Sequence, residues 1–238
     1  NTDVDNQAGG EQLTPLFADP GVSVNEIPAG TPGTTVTTTV ILSNNGSTTT
    51  TFTTTVVING ATTTLVNTLA PNTTESVVIS VPLTSTGATV TATITDSSVP
   101  DSNLGNNSDS ENAGALFADV TTEVDLPENA PAGTVVTGTV VFTNSAAAGA
   151  TASAVVGTVT LSNGESYTYS VGDLTPGTSA TRTFTTTVPS TLGTVLEVTS
   201  TVATATPESN TANNTDVDNQ AGGEQLTPLF ADPGVSVN

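Results

Sequence analysis

The stretch Thr-Thr-Val-Thr-Thr-Thr-Val-Ile-Leu-Ser, from Thr34 to Ser43, decides the fold class of this chain. Its larger apolar side chains fall mostly on alternate positions, so that Val36, Val40 and Leu42 share one face. Side chains of an extended chain point alternately to opposite faces, and Val and Thr are both favoured in strands. The pattern therefore predicts a β-strand with one buried face.

The same alternation recurs along the chain in short runs that are separated by turns rich in Gly, Pro and Asn. Asn59-Gly60 and Asn163-Gly164 predict two-residue hairpin turns of type I′, which need positive φ at both central positions. About seven strands in about 100 residues predict an all-β fold of immunoglobulin-like sandwiches. The predicted inner positions of three further strands are Phe52, Thr54, Val56 and Ile58, then Val77, Ile79 and Val81, then Val90, Ala92 and Ile94.

Internal repeats divide the chain into domains. Residues 1–25 recur without a change as residues 214–238, which sets a repeat length of 213 residues. A weaker repeat within that length aligns Leu16-Phe17-Ala18-Asp19 with Leu116-Phe117-Ala118-Asp119. Self-similarity at a fixed period is the signature of a tandem array. We therefore predict two tandem sandwiches in a head-to-tail array, at 16–114 and 115–213, with the tail and linker of a preceding repeat at 1–15 and the linker and first strand of the next at 214–238.

The charge balance limits the partners of the chain. It has 22 acidic residues and one basic residue, a net charge of −21, and no Cys. So acidic a surface repels polyanions, and we expect no nucleic-acid partner. No apolar stretch has the length of a membrane span, so we expect no direct membrane insertion either. The absence of Cys excludes a disulfide framework.

The composition also argues against catalysis. His, Cys and Lys, which most often act as nucleophiles or general bases, are all absent. A glycosidase needs only carboxylates for its chemistry, but sugar sites use aromatic platforms, and aromatic residues form only 3% of the chain. We therefore expect that this protein is not an enzyme.

Acidic and amide side chains cluster near the predicted domain boundaries and form the best candidate for a binding site. Oxygen ligands two residues apart on a loop, joined by a carboxylate from the next domain, would suit the six to eight oxygens that Ca²⁺ prefers. The alternative is a set of solvated turns with Asx hydrogen bonds. The candidate Ca²⁺ ligands at the domain junctions are Asp3, Asp5, Asn6, Asp19, Asp109, Glu111, Asn112, Asp119, Asp216, Asp218, Asn219 and Asp232.

Two further features of the boundaries allow more than one interpretation. The apolar pairs Leu16-Phe17, Leu116-Phe117 and Leu229-Phe230 either fix the angle between domains, which we favour, or belong to the core of their own domain. Asn-X-Ser/Thr sequons are candidate sites of N-glycosylation, although they also arise by chance in a chain so rich in Asn and Thr. The sequons begin at Asn45, Asn72, Asn106 and Asn213.

Several motifs carry a resemblance to a known family. The first domain contains Asn44-Asn45-Gly46, the segment L-A-P-N-T-T-E-S-V-V-I-S-V-P at 69–82 and the closing P-D-S-N-L-G-N-N-S at 100–108. The second domain repeats this pattern with L-T-P-G-T-S-A-T-R-T-F at 174–184 and P-E-S-N-T-A-N-N-T at 207–215. Each domain resembles a CARDB-type module, an immunoglobulin-like sandwich of bacterial and archaeal cell-surface proteins. The resemblance implies an adhesive or scaffolding repeat and assigns no catalytic residue.

Two functional hypotheses follow. The first is a structural repeat unit of an extracellular filament, stalk or giant adhesin of a bacterial or archaeal cell surface, which gives length and tensile rigidity. Its partners would be copies of itself along a fibre, with an axial repeat of about 80 Å if each sandwich spans about 40 Å. The alternative is an adhesin repeat that itself binds carbohydrate, ice or a cell surface. Flat faces rich in Thr, such as Thr35, Thr37 and Thr39, would suit that role.

The ends of the sequence also carry a prediction. The chain begins in mid-pattern and stops after the Val-Ser-Val-Asn of a first strand, so we expect it to be an internal piece of a longer array. An arbitrary cut through a periodic fibre explains such an end. Strand exchange between neighbouring repeats is the alternative, because an edge strand supplied to an adjacent sandwich joins subunits through backbone hydrogen bonds.

Overall fold

Strands make up most of the structure, a computed structural model that describes residues 16–191, 193–218 and 227–229. The chain divides into two units, residues 1–115 and 116–238. The one helical element among the described residues is a three-residue 3₁₀ turn, Leu104–Asn106, and no helix in this part of the chain is long and apolar enough to cross a membrane. The prediction of an all-β, immunoglobulin-like fold is confirmed.

Sandwich 1, the first unit, contains seven strands. They are β1 (Pro20–Val24), β2 (Thr35–Asn44), β3 (Thr50–Ile58), β4 (Ala61–Leu69), β5 (Thr73–Pro82), β6 (Ala88–Ser97) and β7 (Ser108–Ala113). One sheet has the order β1-β2-β5 and the other has the order β4-β3-β6-β7, with all neighbours antiparallel. The core lies between these two sheets.

The core of sandwich 1 follows the alternation of the sequence. Val40 and Leu42 of β2 belong to one buried cluster with Phe52 and Val56 of β3, and each exposes 1% of its surface or less. Burial of each such side chain contributes roughly 1.5–3 kcal/mol, so this cluster is the main driving force for folding. Thr54 is fully buried among them, and its hydroxyl has no hydrogen-bond partner.

Sandwich 2, the second unit, repeats this plan. Its strands are β8 (Val120–Asp125), β9 (Asn129–Pro131), β10 (Val135–Asn144), β11 (Ala152–Leu161), β12 (Ser166–Leu174), β13 (Ser179–Thr187), β14 (Val198–Ala203), β15 (Thr215–Asp218) and β16 (Thr227–Leu229). The two main sheets have the orders β13-β10-β8 and β12-β11-β14-β15. In addition, β16 pairs with β9 in parallel.

Aromatic rings fill the core of sandwich 2 differently. The ring of Phe142 lies against Gly157, and the ring of Phe184 lies against Gly138, so closely that a Cβ at either glycine would overlap with the ring. The strand registers place Gly157 at the position that Thr54 occupies in sandwich 1. The absence of a side chain at Gly138 and Gly157 therefore makes room for the two rings.

The two Asn-Gly turns differ from each other. Asn59-Gly60 has φ values of 49° and 87° and forms the predicted two-residue type I′ turn. At Asn163-Gly164 only the glycine has positive φ, 93°. Hydrogen bonds from the Gly164 amide to the Leu161 carbonyl and from the Leu161 amide to the Glu165 carbonyl close a three-residue loop. The two-residue prediction is wrong here, because a type I turn followed by a left-handed glycine takes its place.

The acidic segments that end each domain are strands rather than linkers. β7 pairs with β6 along its whole length, and β15 pairs with β14. Sandwich 2 therefore includes residues 215–218, beyond the limit of 213 that the sequence analysis set for the second domain. The predicted sandwich 1 at 16–114 contains β7, but its carboxylates were interpreted as loop ligands, because they occupy inner positions where an apolar residue is usual.

Within each sandwich, side-chain hydrogen bonds join an edge strand of one sheet to an edge strand of the other, and these bonds differ between the two sandwiches. In sandwich 2 the hydroxyls of Tyr167 and Tyr169 on β12 donate to backbone carbonyls of β13, those of Thr185 and Thr183. In sandwich 1 the amide of Asn67 on β4 donates instead to a carboxylate of β5 at 2.9 Å. These bonds link the two sheets at one edge of each sandwich, between β4 and β5 in sandwich 1 and between β12 and β13 in sandwich 2.

Candidate functional site

The first and last segments of sandwich 1 lie side by side and run in the same direction. Parallel bridges join Ala18 to Asp101 and Gly30 to Ala115. The amide of Ala18 donates to the Pro100 carbonyl at 3.1 Å. The chain therefore enters this sandwich at one end and leaves it at the other, with both segments hydrogen-bonded together.

Sandwich 2 has the same arrangement. A parallel bridge joins Ala118 to Glu208. At the other end, β9 and β16 pair in parallel, with hydrogen bonds of 2.9 Å from the Thr227 amide to the Glu128 carbonyl and 3.0 Å from the Ala132 amide to the Leu229 carbonyl. We call the paired first and last segments the terminal-strand clasp: residues 18–30 with 100–115 in sandwich 1, and residues 118–132 with 207–218 and 227–229 in sandwich 2.

Carboxylates join the two segments of the clasp at its centre. In sandwich 1 the amide of Val24 on β1 donates to Oδ2 of Asp109 on β7 at 2.7 Å. In sandwich 2 the amide of Val124 on β8 donates to Oδ2 of Asp216 at the same distance. β1 and β7 belong to different sheets, as do β8 and β15, so a side chain supplies the bond that backbone pairing does not. Hydrogen bonds to a charged acceptor are worth about 1.5–3 kcal/mol.

An Asn-Asn pair precedes the last strand of each sandwich and binds two further carboxylates. In sandwich 1 the amide nitrogen of Asn106 donates to Asp19 at 2.9 Å, and that of Asn107 donates to Asp101 at 2.8 Å. The corresponding bonds of sandwich 2 run from Asn213 to Asp119 and from Asn214 to Glu208, each at 2.9 Å. The Asn-Asn motif on which the family resemblance partly rested is therefore a structural part of the clasp.

The amide oxygens of these asparagines are unusual. Oδ1 is buried and without a hydrogen-bond partner in Asn106, Asn107, Asn213 and Asn214 alike. A buried acceptor left unpaired costs free energy, so the bond from each amide nitrogen to its carboxylate must outweigh that cost. The carboxylates thus determine which way all four amides point.

A fully buried asparagine sits beneath each clasp. Asn44, at the end of β2, accepts from the Asp19 and Gly46 amides through Oδ1 and donates to the Thr48 and Leu69 carbonyls through Nδ2, all within 3.2 Å. Its counterpart Asn144 makes three equivalent bonds to residues 119, 150 and 174. The motif Asn44-Asn45-Gly46 does not by itself predict this role. A polar residue at an inner position of an otherwise alternating strand is the signal that reveals it.

The described candidates for Ca²⁺ ligands do not form a metal site. Asp19, Asp109, Asp119 and Asp216 each accept hydrogen bonds from N–H groups of their own sandwich, and Asp218 accepts one from the Leu126 amide at 3.0 Å. Within the described part of the chain, no group of three or more acidic residues could hold a metal ion. Among the described residues these side chains serve as acceptors for backbone and amide N–H groups of their own sandwich and do not gather into a candidate metal site.

The remaining candidates are spread out. Glu111 is half-buried on β7, and Asn112 next to it accepts a hydrogen bond from the Thr89 hydroxyl at 2.7 Å on the solvent side. Asp3, Asp5, Asn6, Asn219 and Asp232 lie outside the described residues.

The four sequons fall into two classes. Asn45 and Asn72 are exposed on turns. Asn106 and Asn213 are half-buried, and the amide nitrogen that a glycan would modify is bound to a carboxylate of the clasp. Only the first two present a free amide nitrogen at the surface of the described structure.

The Leu-Phe pairs begin each sandwich. Leu16 and Phe17 expose 67% and 42% of their surfaces within sandwich 1, whereas Leu116 and Phe117 are half-buried, and the Phe117 carbonyl accepts bonds from the loop at residues 149–150. Phe230 of the third pair lies outside the described residues. A role of these pairs in setting the angle between domains stays a prediction.

Comparison with solved structures finds neighbours of low sequence identity. A crystal structure of the CARDB domain of a Pyrococcus furiosus protein, in complex with di-metal ions, is 19% identical and covers 43% of this chain and 97% of its own, with a TM-score of 0.39. A solution structure of the same domain is 18% identical over 48% of this chain, also with a TM-score of 0.39. Red sea bream transglutaminase is 13% identical over 93% of this chain and 32% of its own, with a TM-score of 0.34.

CARDB domains, the modules that the sequence motifs resemble, are among these structural neighbours. The likeness concerns the fold, which the strand order of each sandwich establishes by itself. No protein-family model matches the chain, and no match was found among curated protein sequences.

Proposed function

We propose that this chain is a load-bearing repeat unit of an extracellular filament, stalk or giant adhesin of a bacterial or archaeal cell surface, without catalytic activity. The observation that carries the proposal is the terminal-strand clasp. In both sandwiches the chain enters at one end and leaves at the opposite end, and its first and last segments are joined by parallel pairing and by a carboxylate.

The direction of the clasp suits it to resist tension. A pull on the two ends of a sandwich moves parallel first and last segments along each other, so that all bonds between them are loaded together. In an antiparallel hairpin pulled at its open end, the bonds would instead break one after another. Opposite exit points also allow units to follow one another along a line, as the 213-residue repeat of the sequence requires.

Single-molecule stretching of a tandem array of the 213-residue repeat tests the proposal. Each sandwich should unfold in one event that releases about 350 Å of chain for about 100 residues. The clasp variants Asp109→Ala and Asp216→Ala should lower the unfolding force, while Asp96→Ala and Glu197→Ala, which remove exposed carboxylates outside the clasp, should leave it unchanged. An equal loss in both sets would contradict the proposal.

Calcium at the domain junctions stays a separate prediction that now rests on Asp3, Asp5, Asn6, Asn219 and Asp232. The array should be melted in the presence of Ca²⁺ and again after addition of a chelator. A fall in melting temperature on chelation would support bound Ca²⁺. An unchanged temperature would leave the clasps, which need no ion, as the source of stability.

A further inference from the structure

The outer face of the four-stranded sheet carries two rows of small side chains in each sandwich. The rows run across the strands, because their members are direct partners in the strand registers. In sandwich 1 they are Thr64, Thr55, Thr93 and Ser108, then Thr62, Val57, Thr91 and Ser110. In sandwich 2 they are Thr168, Thr158, Thr201 and Thr215, then Ser166, Thr160, Thr199 and Val217. We call these two sets the hydroxyl faces. All of their members are exposed or half-buried.

The hydroxyl faces contain no charged side chain, although the chain carries 22 acidic residues. Asp96, Asp173 and Glu197 border them only near the ends of the sheets. In sandwich 2 the outer face of the three-stranded sheet is different, because it includes Glu123 and Asp125 of β8, whereas in sandwich 1 the positions of that face, such as Thr39 and Val78, are uncharged. The four-stranded sheet therefore offers a face whose centre is uncharged in both sandwiches.

Part of the hydroxyl face of sandwich 1 is already paired within the protein. The hydroxyls of Thr91 and Ser110 bond to each other at 2.9 Å, and those of Thr93 and Ser108 bond at 3.0 Å. Two exposed apolar residues lie on the same sides of the sheets, Val66 with 67% and Val156 with 41% of its surface exposed. A partner that covered these faces would bury methyl groups, and the four paired hydroxyls of sandwich 1 would keep their hydrogen bonds.

We propose that the hydroxyl faces are sites of lateral association between copies of this chain. Two copies with a net charge of −21 repel each other wherever their acidic surfaces meet. At the hydroxyl faces two copies approach with no charge between them. The occupant that the charge distribution favours is therefore a second uncharged face of the same kind.

The size of the faces sets the strength of this association. Four strands about 4.8 Å apart and about six residues long cover roughly 400 Å² per partner. A stable interface buries about 1,200–2,000 Å² in total, so one pair of faces is too small to hold two copies together. Several faces along one chain are needed, and in this respect the inference rests on the proposed tandem array. Filaments should accordingly associate side by side, while short pieces should associate weakly.

Sedimentation equilibrium of the 238-residue chain tests the proposal, with tandem arrays examined in parallel. The average mass should rise with protein concentration, and more steeply at high salt, because salt screens the remaining repulsion. Thr55→Glu combined with Thr158→Glu places one charge in the centre of each face and should abolish the rise. Thr37→Glu with Thr137→Glu, on the exposed faces of the three-stranded sheets, adds the same charge and should preserve it.

Circular dichroism should show that both double variants are folded. If Thr55→Glu with Thr158→Glu is not, the exposed pair Thr64→Glu and Thr168→Glu replaces it. A wild-type chain or array that stays monomeric at both salt concentrations would overturn the proposal, as would an equal loss in the face and control variants. A monomeric chain that co-sediments with insoluble cellulose would assign the faces to polysaccharide and would overturn self-association too. None of these outcomes affects the stretching experiment, which is made on single molecules.

Discussion

Sandwich 1 and sandwich 2 agree in their clasps and differ in their cores. The bonds from Val24 to Asp109 and from Val124 to Asp216 have the same length, 2.7 Å. The core position that holds Thr54 in sandwich 1 is Gly157 in sandwich 2, with an aromatic ring in the space. Apolar volume can be moved between neighbouring core positions at a cost of about 1 kcal/mol. A backbone amide, in contrast, needs an acceptor atom at one place. Polar contacts therefore define this fold more strictly than its core composition does.

The largest expected effect concerns the buried asparagine that both sandwiches share. Asn44→Ala and Asn144→Ala each leave several buried backbone groups unpaired, and each should destabilise its own sandwich by about 3 kcal/mol or more. The exposed neighbour offers a control, since Asn45→Ala should change stability by less than about 0.5 kcal/mol. Hydrogen exchange read by mass spectrometry resolves the two sandwiches. A large loss in only one of them would break the similarity of the clasps.

The difference between the cores makes a prediction of opposite sign for two equivalent positions. Gly157→Ala drives a methyl group into the Phe142 ring and should destabilise sandwich 2 by about 2 kcal/mol. Thr54→Val removes a buried hydroxyl that has no partner and should stabilise sandwich 1 by about 1 kcal/mol. Gly114→Ala, where a Cβ meets nothing within 4 Å, is the control. Denaturant melts that shift in the same direction for both changes would contradict this account of the cores.

The carboxylates of the clasps should have a moderate effect. Asp109→Ala and Asp216→Ala each remove a short bond to a backbone amide and should cost about 1.5–3 kcal/mol in their own sandwich. Asp109→Asn keeps an oxygen that can accept and should cost less. The midpoints of denaturant unfolding measure both. A loss for Asp109→Asn as large as that for Asp109→Ala would show that the charge, and not the acceptor atom, is what matters.

The smallest effect concerns the tyrosines, which only sandwich 2 contains. Burial raises the pKa of Tyr169 above 10.0, nearby Tyr167 raises it further, and Arg182 opposes the shift. The folded state thus favours the neutral phenol. The resulting stability is complete below pH 10 and is lost as the pH rises through the raised pKa.

Strong alkali should therefore lower the free energy of unfolding of sandwich 2 more than that of sandwich 1. Tyr169→Phe should remove most of this difference and cost less than about 1 kcal/mol at neutral pH. Tyrosine absorbance and fluorescence report on sandwich 2 alone, which allows its melt to be followed in the intact chain. An unchanged alkaline melt in the Tyr169→Phe variant would place the sensitivity elsewhere.

The fold was predictable from the sequence because apolar residues fall mostly on alternate positions of the central strands. Val40, Leu42, Phe52 and Val56 are all buried as that alternation requires. The last strands were not predictable in this way. In β7 the inner position that faces the Val24 amide holds Asp109 instead of an apolar residue. In the sequence this segment therefore resembles a polar turn.

The candidate site was predictable in its residues but not in its chemistry. Asp19, Asp109 and Asn106 stand out in the sequence as oxygen-rich side chains near a boundary. Asp109 binds the backbone amide of Val24, 85 residues away, and Asn106 binds Asp19, 87 residues away. No local sequence pattern encodes contacts over such distances along the chain. Calcium was the simpler explanation of such a cluster as long as the last segment was not recognised as a strand packed beside the first.

The direction of pulling tests the central claim most directly, because the clasp should resist only a force along its own axis. The chain has no Cys, so introduced cysteines provide unique handles. Sandwich 1 should be stretched once through its ends and once through Thr51→Cys and Thr68→Cys, which are partners at the open end of the β3–β4 hairpin. The account predicts a clearly higher unfolding force through the ends. Equal forces, or a lower force through the ends, would contradict it.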